Sequence, residues 1–327
     1  MAYYWGWRLF GSLARALPRP PAYHLAGLVL ELAFLLWPAG RRAMRENLRV
    51  VLARDDPAAL AYWAARQQRR YGAYLVDAAR LETLGAAAAR AECRNALHSP
   101  DWSTVEAAVQ AGPVIFALMH LGNWDICAGA LAARMPPGSA AFLVPAEPFK
   151  HPALDATMRR TRAALGLELL PATGSGGRLL RALKRGQSVA LLIDRPLGPQ
   201  HQGVGVTFCG QPCRLSAGMA RLALASGAPV IAASAVRRAS GSFLFEGFAT
   251  VAPAPPLTGA RPRDVQALTQ AVLDAFEPWV RRHPDQWYQF RPFFQPGDSD
   301  PGAGTMSHAP DESACSGRIP AVARDNR

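Results

Sequence analysis

The longest apolar run of the chain lies near its N-terminus. Residues 22–40 read AYHLAGLVLELAFLLWPAG, and about 20 apolar residues are enough to cross a bilayer. Glu31 in the middle of this run and flanking arginines such as Arg19 and Arg41 favour a helix that lies in the interface of an anionic membrane over a spanning one. No small-residue cleavage site follows, so we expect no removable signal peptide. A buried core helix is the alternative interpretation.

Short apolar runs alternate with helical patterns along the middle of the chain. Continuous short apolar runs are typical of strands that are covered on both faces. Such runs predict strands at 113–118, 140–145, 167–170, 189–193, 204–208 and 230–236. Between them, the spacing of apolar residues predicts helices at 123–134, 152–165, 178–184 and 217–225. This alternation predicts an α/β fold with a mixed, mostly parallel sheet and helices on both faces.

The flanking segments complete the predicted organisation. Helices are predicted at 57–78 and 84–96, an antiparallel strand at 243–251 and a closing helix at 264–282. Beyond residue 295 the chain consists mainly of Gly, Pro, Ser, Asp and Arg, a composition typical of disorder. We therefore expect an N-terminal helical membrane-attachment region at 1–50, one folded domain at 51–295 and a disordered tail at 296–327.

Charge and cysteine content narrow the classes of partner. The formal net charge is +12, which favours an anionic partner. Nucleic acid is disfavoured, because the basic residues follow helices without interleaved aromatics and no finger or RNA-binding signature is present. The five cysteines are scattered, which argues against a disulfide framework. Cys209 and Cys213 have no second Cys or His pair nearby that could complete a zinc site, so we expect no metal.

One histidine has the sequence context of a catalytic base. Of the seven histidines, only His120 directly follows a predicted buried strand, which is where open α/β sheets carry their active sites. Gly122 permits a tight turn before a helix that begins at about Asn123. A carboxylate at Asp125 could then hold the productive tautomer of the His120 imidazole. The alternative is a buried histidine that bonds an aspartate for packing.

Such a base suits the activation of a hydroxyl, which is a poor nucleophile near neutral pH. No G-x-S-x-G elbow is present, which favours direct acyl transfer without an acyl-enzyme. Arg162, close to Arg159 and Arg160, could bind a phosphate of a donor or of a lipid headgroup, although a solvated basic helix face gives the same pattern. Asp194 at a predicted strand end could orient a neighbour, bind substrate or only cap the next turn.

Several blocks of sequence together resemble one enzyme family. They are HLGNWD at 120–125, LLIDR at 191–195, GVGVTFCG at 203–210, Ala217-Gly218, SGAPV at 226–230 and HPDQW at 283–287. In this order and spacing they are similar to the lipid A biosynthesis acyltransferase family, which includes the late acyltransferases of lipid A and the actinobacterial phosphatidylinositol mannoside acyltransferases. The resemblance extends from about Arg41 to Trp287, and it is specific as a set.

The resemblance implies roles for individual residues. His120 matches the catalytic base of the family and Asp125 its acidic partner. The residues expected to bind substrate are Asn123, Arg162, Asp194 and Arg195. The lipid A branch usually has Glu at the position of Asp125 and Asp-Gln at the position of Asp194-Arg195. Both departures look more like the phosphatidylinositol mannoside branch.

The resemblance also implies the reaction. We expect transfer of a long-chain acyl group from an acyl thioester, either acyl-CoA or acyl carrier protein, to a hydroxyl of a membrane glycolipid. No metal or redox cofactor is implied, because the thioester supplies the driving force. The expected location is the cytoplasmic face of the cell membrane, held peripherally or by a single N-terminal anchor. One alternative is a glycerophospholipid acyltransferase. Those enzymes usually have a second block that resembles Phe-Pro-Glu-Gly-Thr-Arg, of which only the fragment Phe245-Glu246-Gly247 is present. The other alternative is a non-enzymatic basic membrane-binding protein.

Overall fold

The structure is a computed structural model that describes residues 2–84, 86–94, 102–197, 203–238, 245–252, 255 and 258–295. The predicted tail at 296–327 lies outside these residues. The strands are β1 (Ile115–Gly122), β2 (Phe142–Ala146), β3 (Leu167–Pro171), β4 (Val189–Leu192), β5 (Val204–Phe208), β6 (Gln211–Leu215), β7 (Val230–Arg237) and β8 (Phe245–Val251). The helices are α1 (Ala2–Ala16), α2 (Arg19–Leu35), α3 (Pro38–Leu52), α4 (Pro57–Leu81), α5 (Ala86–Arg94), α6 (Trp102–Ala111), α7 (Trp124–Ala132), α8 (Pro152–Ala164), α9 (Gly176–Lys184), α10 (Gly218–Ser226) and α11 (Arg261–Arg282), followed by a 3₁₀ turn at Pro284–Gln286.

The central sheet has six strands in the order β3-β2-β4-β1-β7-β8. All neighbours are parallel except β7 and β8, which pair antiparallel. The predicted mixed, mostly parallel sheet is therefore confirmed, including the antiparallel strand at its edge. Parallel strands place their carboxyl ends at one edge of a sheet, and β1 and β4 lie side by side there.

Helices cover both faces of this sheet, as the continuous apolar runs predict. Alternate residues of each strand point to opposite faces. Phe116 and Leu118 of β1 belong to a core that includes α7, whereas Ile115 and Ala117 belong to a second core that includes α9, α10 and α11. The even-numbered position of His120 places its side chain on the α7 face.

The segment 204–208 departs from the predicted sheet. It forms β5, which pairs with β6 in a separate antiparallel hairpin. The run VGVTF alternates between buried and more exposed positions, which is the pattern of a strand covered on one face only. Phe208 and Cys213 anchor the hairpin in the core shared with α11. Neither β6 nor α6 was predicted from the sequence.

The N-terminal apolar run is not one isolated helix. Most of it lies in α2 and its last residues begin α3, and α2 packs closely on α4. A Cβ added at Gly72 of α4 would lie 2.8 Å from the backbone of Ala26 and of Gly27, so glycine permits this close approach. Among the described residues no single helix is long and apolar enough to cross a membrane, and only α2 and α3 together, bent by 107°, reach that composition.

Candidate active site

A forced turn at the end of β1 positions His120. Gly122 has a φ of +67°, and a Cβ there would lie 2.0 Å from the carbonyl oxygen of Ala235 in β7. Only glycine fits this position, because its φ is left-handed and the neighbouring strand is in the way. The backbone N–H of Asn123 then donates to the same Ala235 oxygen at 2.8 Å. The chain turns directly into α7, which leaves the His120 side chain at the sheet edge.

The carboxylate in contact with His120 belongs to Asp194. The Nδ1 atom of His120 lies 2.8 Å from Oδ1 of Asp194, and the His120 backbone N–H donates to Oδ2 at 2.9 Å. Strand register explains the pairing, since Leu118 of β1 lies opposite Leu192 of β4. β4 ends at Leu192, and Asp194, two residues further along the chain, reaches His120 of β1 with its carboxylate. The carboxylate is fully buried, whereas the imidazole keeps 20% of its side-chain surface exposed.

This contact determines the tautomer of the imidazole. An ionised carboxylate can only accept hydrogen bonds, so Nδ1 of His120 carries the proton. The lone pair then lies on Nε2, which has no hydrogen-bond partner in the described part of the chain. A neutral imidazole with an open Nε2 is the form that accepts a proton as a general base.

The segment after the 3₁₀ turn holds both members of this pair. Trp287 donates its indole N–H to Oδ2 of Asp194 at 3.0 Å, and the Gln289 amide donates to the same oxygen at 3.1 Å. The backbone N–H of Tyr288 donates to the carbonyl oxygen of His120 at 2.8 Å. Burial by itself would raise the pKa of Asp194, but His120 and the indole of Trp287 hold that pKa below its ordinary value. Asp194 therefore stays ionised.

Asp125 has different partners from those expected. Its Oδ1 accepts from Nε of Arg162 at 2.9 Å, and its Oδ2 accepts from the Tyr74 hydroxyl at 3.0 Å. The expectation that Asp125 orients the His120 imidazole is thus corrected, because Asp125 lies in the first turn of α7 and faces α4 and α8. Asp194 takes that place.

Asp125, Arg162 and Tyr74 form a second cluster, in which the charge of Asp125 affects the pKa of both neighbours. The charge of Asp125 raises the pKa of Arg162 although burial opposes it. Burial, together with the charge of Asp125, raises the pKa of the Tyr74 hydroxyl. Arg162 therefore stays charged and Tyr74 stays a hydrogen-bond donor. The cluster is a fixed cation and carboxylate pair, most of whose surface is buried.

Trp124 joins the two clusters. Its ring lies 4.9 Å from the His120 ring in an edge contact and 4.1 Å from the Tyr74 ring, measured between centroids. Trp124 is the first residue of α7 and Asp125 is the second. A shift of this helix would therefore move both the Trp124 ring that contacts His120 and the Asp125 carboxylate. The geometry of the site therefore depends on how α7 begins.

Asn123 and Arg195 differ in their access to substrate. Asn123 is 1% exposed, and its Oδ1 accepts from the backbone N–H of Ile126 at 3.1 Å. Asn123 thus caps α7 and is not among the residues that line the cavity, and its binding of substrate stays a prediction. Arg195 is exposed, contacts the carboxylate of Glu147 and lines the cavity. No group of three or more His, Cys, Asp or Glu residues in the described ranges is arranged to hold a metal.

A cavity of about 1590 Å³ contains the accessible part of these clusters. His120, Asp125 and Arg162 line it, together with Arg195. Part of its wall is apolar, formed by residues such as Leu118, Ala128, Val144, Leu154, Met158, Leu167, Ala190 and Leu192. Ligand pockets of roughly 300–1,000 Å³ suit drug-sized molecules, so this cavity has room for a larger, mainly apolar ligand.

Three residues of the site were not assigned from the sequence. Tyr74, Trp287 and Gln289 each bond one of the two carboxylates. Trp287 belongs to the HPDQW block of the family resemblance, so its presence there was the signal that could have placed it at the site. Nothing in the local sequence of Tyr74 distinguishes it from the other aromatic residues of α4.

Comparison with known proteins identifies the family of the chain. Residues 1–295 match the family model described as bacterial lipid A biosynthesis acyltransferase. The chain is similar to the phosphatidylinositol mannoside acyltransferase of Mycobacterium tuberculosis (strain CDC 1551 / Oshkosh), with 29% identity over 259 residues and 77% of each chain covered. It is also similar to the phosphatidylinositol mannoside acyltransferase of Mycolicibacterium smegmatis (strain ATCC 700084 / mc(2)155), with 31% identity over 196 residues, 58% of this chain and 59% of the relative. The predicted family is confirmed: the chain is an acyltransferase and belongs to the bacterial lipid A biosynthesis acyltransferase family.

Proposed function

We propose that this acyltransferase moves a long-chain acyl group from an acyl thioester to a hydroxyl of a membrane glycolipid, with His120 as the general base. The contact between Nδ1 of His120 and Asp194 at 2.8 Å carries this proposal. It leaves Nε2 as the basic atom of a ring that lines the cavity. Asp125 is reassigned from orienting His120 to fixing the guanidinium of Arg162.

The transfer follows from this arrangement. Nε2 of His120 takes the proton of the acceptor hydroxyl while its oxygen attacks the thioester carbonyl carbon. Asp194 stabilises the imidazolium that forms, because its charge lies against Nδ1. When the tetrahedral intermediate collapses, the C–S bond breaks and the imidazolium returns its proton to the leaving thiolate. The products are an ester and a free thiol, and His120 is neutral again.

The apolar side of the cavity suits the acyl chain. Part of its wall is formed by apolar side chains of β1, β2, β3, β4, α7 and α8. Burying a methylene group contributes about 0.8 kcal/mol, so a long chain would bind strongly there with its carbonyl near His120. Arg162, which Asp125 holds in place, is a fixed cation for an anionic group of donor or acceptor.

The acceptor is proposed to be similar to phosphatidylinositol mannoside. Two relatives carry that name, and Asp125 and the Asp194-Arg195 pair resemble that branch. The donor thioester is acyl-CoA or acyl carrier protein, which places the reaction at the cytoplasmic face of the membrane.

The N-terminal helices suit attachment to that membrane. Their outer surface exposes large apolar side chains, namely Trp5, Leu9, Leu13, Leu25, Leu28, Val29, Leu32, Leu35, Leu36 and Trp37. Arginines in α1, α2 and α3 accompany them. A face of this composition inserts into the headgroup region and attracts anionic lipid. We call these ten side chains the N-terminal apolar surface and propose that they hold the protein on an anionic membrane.

Replacement of His120 tests the reaction. His120→Ala should lower kcat by about 10²–10⁴, the usual contribution of general-base catalysis. His24→Ala, which removes an exposed histidine from α2, is the matched control and should keep normal turnover with detergent-dispersed acceptor. Radiolabelled transfer to glycolipid and to lysophospholipid acceptors distinguishes the proposed reaction from glycerophospholipid acylation. A folded His120→Ala protein with near-normal turnover would contradict the mechanism.

Vesicle binding tests the N-terminal apolar surface. Leu28→Glu with Leu32→Glu should weaken binding to anionic vesicles by about tenfold or more. Each substitution removes an apolar side chain and brings a negative charge to the membrane interface. Tyr62→Ser removes an exposed aromatic side chain of α4 and is the control. Equal vesicle binding by the wild type and the double variant in a sedimentation assay would contradict this attachment.

A further inference from the structure

A buried polar cluster lies beside the active site and takes no part in the chemistry described above. It consists of Tyr23 on α2, Asp77 on α4, Asn123 at the start of α7 and Arg237 at the end of β7. All four are at least 96% buried, and none of them lines the cavity. Four separate elements of the fold meet at one carboxylate.

Asp77 is the centre of the cluster. Its Oδ1 accepts from the Tyr23 hydroxyl at 2.7 Å, and its Oδ2 accepts from the side-chain amide of Asn123 at 3.2 Å. The Arg237 guanidinium also donates to Oδ2, and it lies over the Tyr23 ring, with Cζ 4.6 Å from the centroid. Each polar group of the cluster therefore has partners inside the protein, which is the condition under which a buried network rigidifies its surroundings.

The amide of Asn123 connects this cluster to the reacting groups. One end of the amide donates to Asp77, and the other end accepts from the Ile126 backbone and caps α7. The two residues that follow are Trp124, whose ring contacts His120, and Asp125, which holds Arg162. The orientation of the Asn123 amide thus sets where the first turn of α7 lies relative to His120.

We infer that Asp77 is a positioning residue of the transfer reaction: through Asn123 it fixes the first turn of α7 against His120, and through Tyr23 it makes helix α2 part of the active-site scaffold. This role rests on the proposed function, in which His120 is the base. Helix α2 would then both expose part of the N-terminal apolar surface and support the active site through Tyr23.

A buried ion pair by itself does not indicate a positioning role. Such pairs contribute little net stability, and they can often be replaced by apolar residues. A purely structural role and a positioning role therefore differ in what they predict for kcat in variants that remain folded. A displacement of about 1 Å in a catalytic geometry can lower a rate by about 10²-fold.

The decisive variants exchange the two groups that meet at the Asp77 and Asn123 contact. Asp77→Asn alone places two amides opposite each other and should lower kcat by about tenfold or more, with the acceptor KM within about threefold. Adding Asn123→Asp restores one carboxylate and one amide, and a carboxylate also caps α7. The double variant should recover kcat to within about threefold of the wild type. Failure of the double variant to recover any of the loss, in a folded protein, would overturn the inference.

Two milder comparisons keep the test independent of folding defects. Tyr23→Phe removes one hydroxyl from α2 and should lower kcat by about threefold with unchanged vesicle binding. Val272→Ala creates a cavity in the buried core of α11 and serves as a control for lowered stability, with normal kcat below its melting transition. If Asp77→Asn and Tyr23→Phe lose no more kcat than Val272→Ala, or if only the acceptor KM rises, Asp77 has no positioning role.

His120→Ala in the same assay separates the two proposals. Turnover that survives in His120→Ala contradicts the proposed mechanism, whatever the Asp77 variants do. Loss of turnover in His120→Ala together with normal kcat in Asp77→Asn contradicts only the positioning role. Recovery of kcat by the exchanged pair supports both.

Discussion

Two carboxylates lie at the carboxyl edge of the sheet, and their surroundings differ. Asp194, at the end of β4, is fully buried and bonds the imidazole and backbone of His120. Asp125, in the first turn of α7, bonds Arg162 and Tyr74. Asp125 is five residues from His120 and Asp194 is 74 residues away, so the nearer residue in sequence is not the partner in space. In the proposed mechanism, Asp194 orients the base His120, whereas Asp125 holds the guanidinium of Arg162.

The largest effect is expected at Asp194. Asp194→Asn replaces an obligate acceptor with a group that can also donate, which permits the wrong tautomer of His120. Loss of the carboxylate in a catalytic triad costs about 10⁴ in kcat, and we expect a decrease of about 10²–10⁴ here. Initial rates on the purified variant measure it. A decrease smaller than that of Asp125→Asn would reverse the roles given to the two carboxylates.

A smaller effect on kcat is expected at Asp125. Asp125→Asn leaves the tautomer of His120 in place but releases Arg162, so the KM of an anionic substrate should rise more than kcat falls. Breaking a largely buried pair should also lower the free energy of unfolding by about 3 kcal/mol. Arg162→Lys is the matched variant, since it keeps the charge and loses the planar fork. If Asp125→Asn lowers kcat by about 10³ and raises KM much less, Asp125 does not act by holding Arg162 for substrate binding.

The stability of the protein in acid tests the environment of Asp194. The pKa of Asp194 lies below its ordinary value of 3.8 in the folded protein. A depressed folded pKa gives stability that is present above the unfolded pKa and is lost as the pH falls through the folded value. The free energy of unfolding of the wild type should therefore fall more steeply below about pH 4 than that of Asp194→Asn. Chemical denaturation at several acidic pH values checks this, and parallel curves would contradict it.

The smallest effect is expected at the exposed pair of Arg195 and Glu147. Their side chains are 49% and 63% exposed, so solvent screens their attraction. Arg195→Gln should change the free energy of unfolding by no more than about 0.5 kcal/mol. The KM of a substrate that reaches this rim of the cavity should change more than kcat. A loss of kcat comparable to that of Asp194→Asn would place Arg195 among the reacting groups.

The sequence predicts local features of this molecule better than contacts between distant segments. The turn at Gly122, a strand next to His120 and the antiparallel strand at the sheet edge follow from short-range patterns, and the structure contains all three, although β1 extends to Gly122 and includes His120. The sheet assignment of 204–208 was wrong because a short apolar run does not state which strand it pairs with.

The contact between His120 and Asp194 could not be predicted from spacing along the chain. His120 meets Asp194 because β1 and β4 are parallel neighbours in a defined register, and strand order is not encoded in either strand alone. The family resemblance placed Asp194 among the site residues without giving its partner. Tyr74, Trp287 and Gln289 lie far along the chain from the carboxylates that they bond, so only tertiary contacts bring them to the site.

The protonation state of the His120 ring nitrogens tests the division between the two carboxylates most directly. Nitrogen-15 NMR of labelled imidazole distinguishes a protonated from an unprotonated ring nitrogen, and His120→Ala assigns the signal. We expect a proton on Nδ1 and a free Nε2 in the wild type and in Asp125→Asn, and a changed tautomer balance in Asp194→Asn alone. A proton on Nε2 in the wild type, or a change that appears with Asp125→Asn and not with Asp194→Asn, would contradict the roles assigned to both residues.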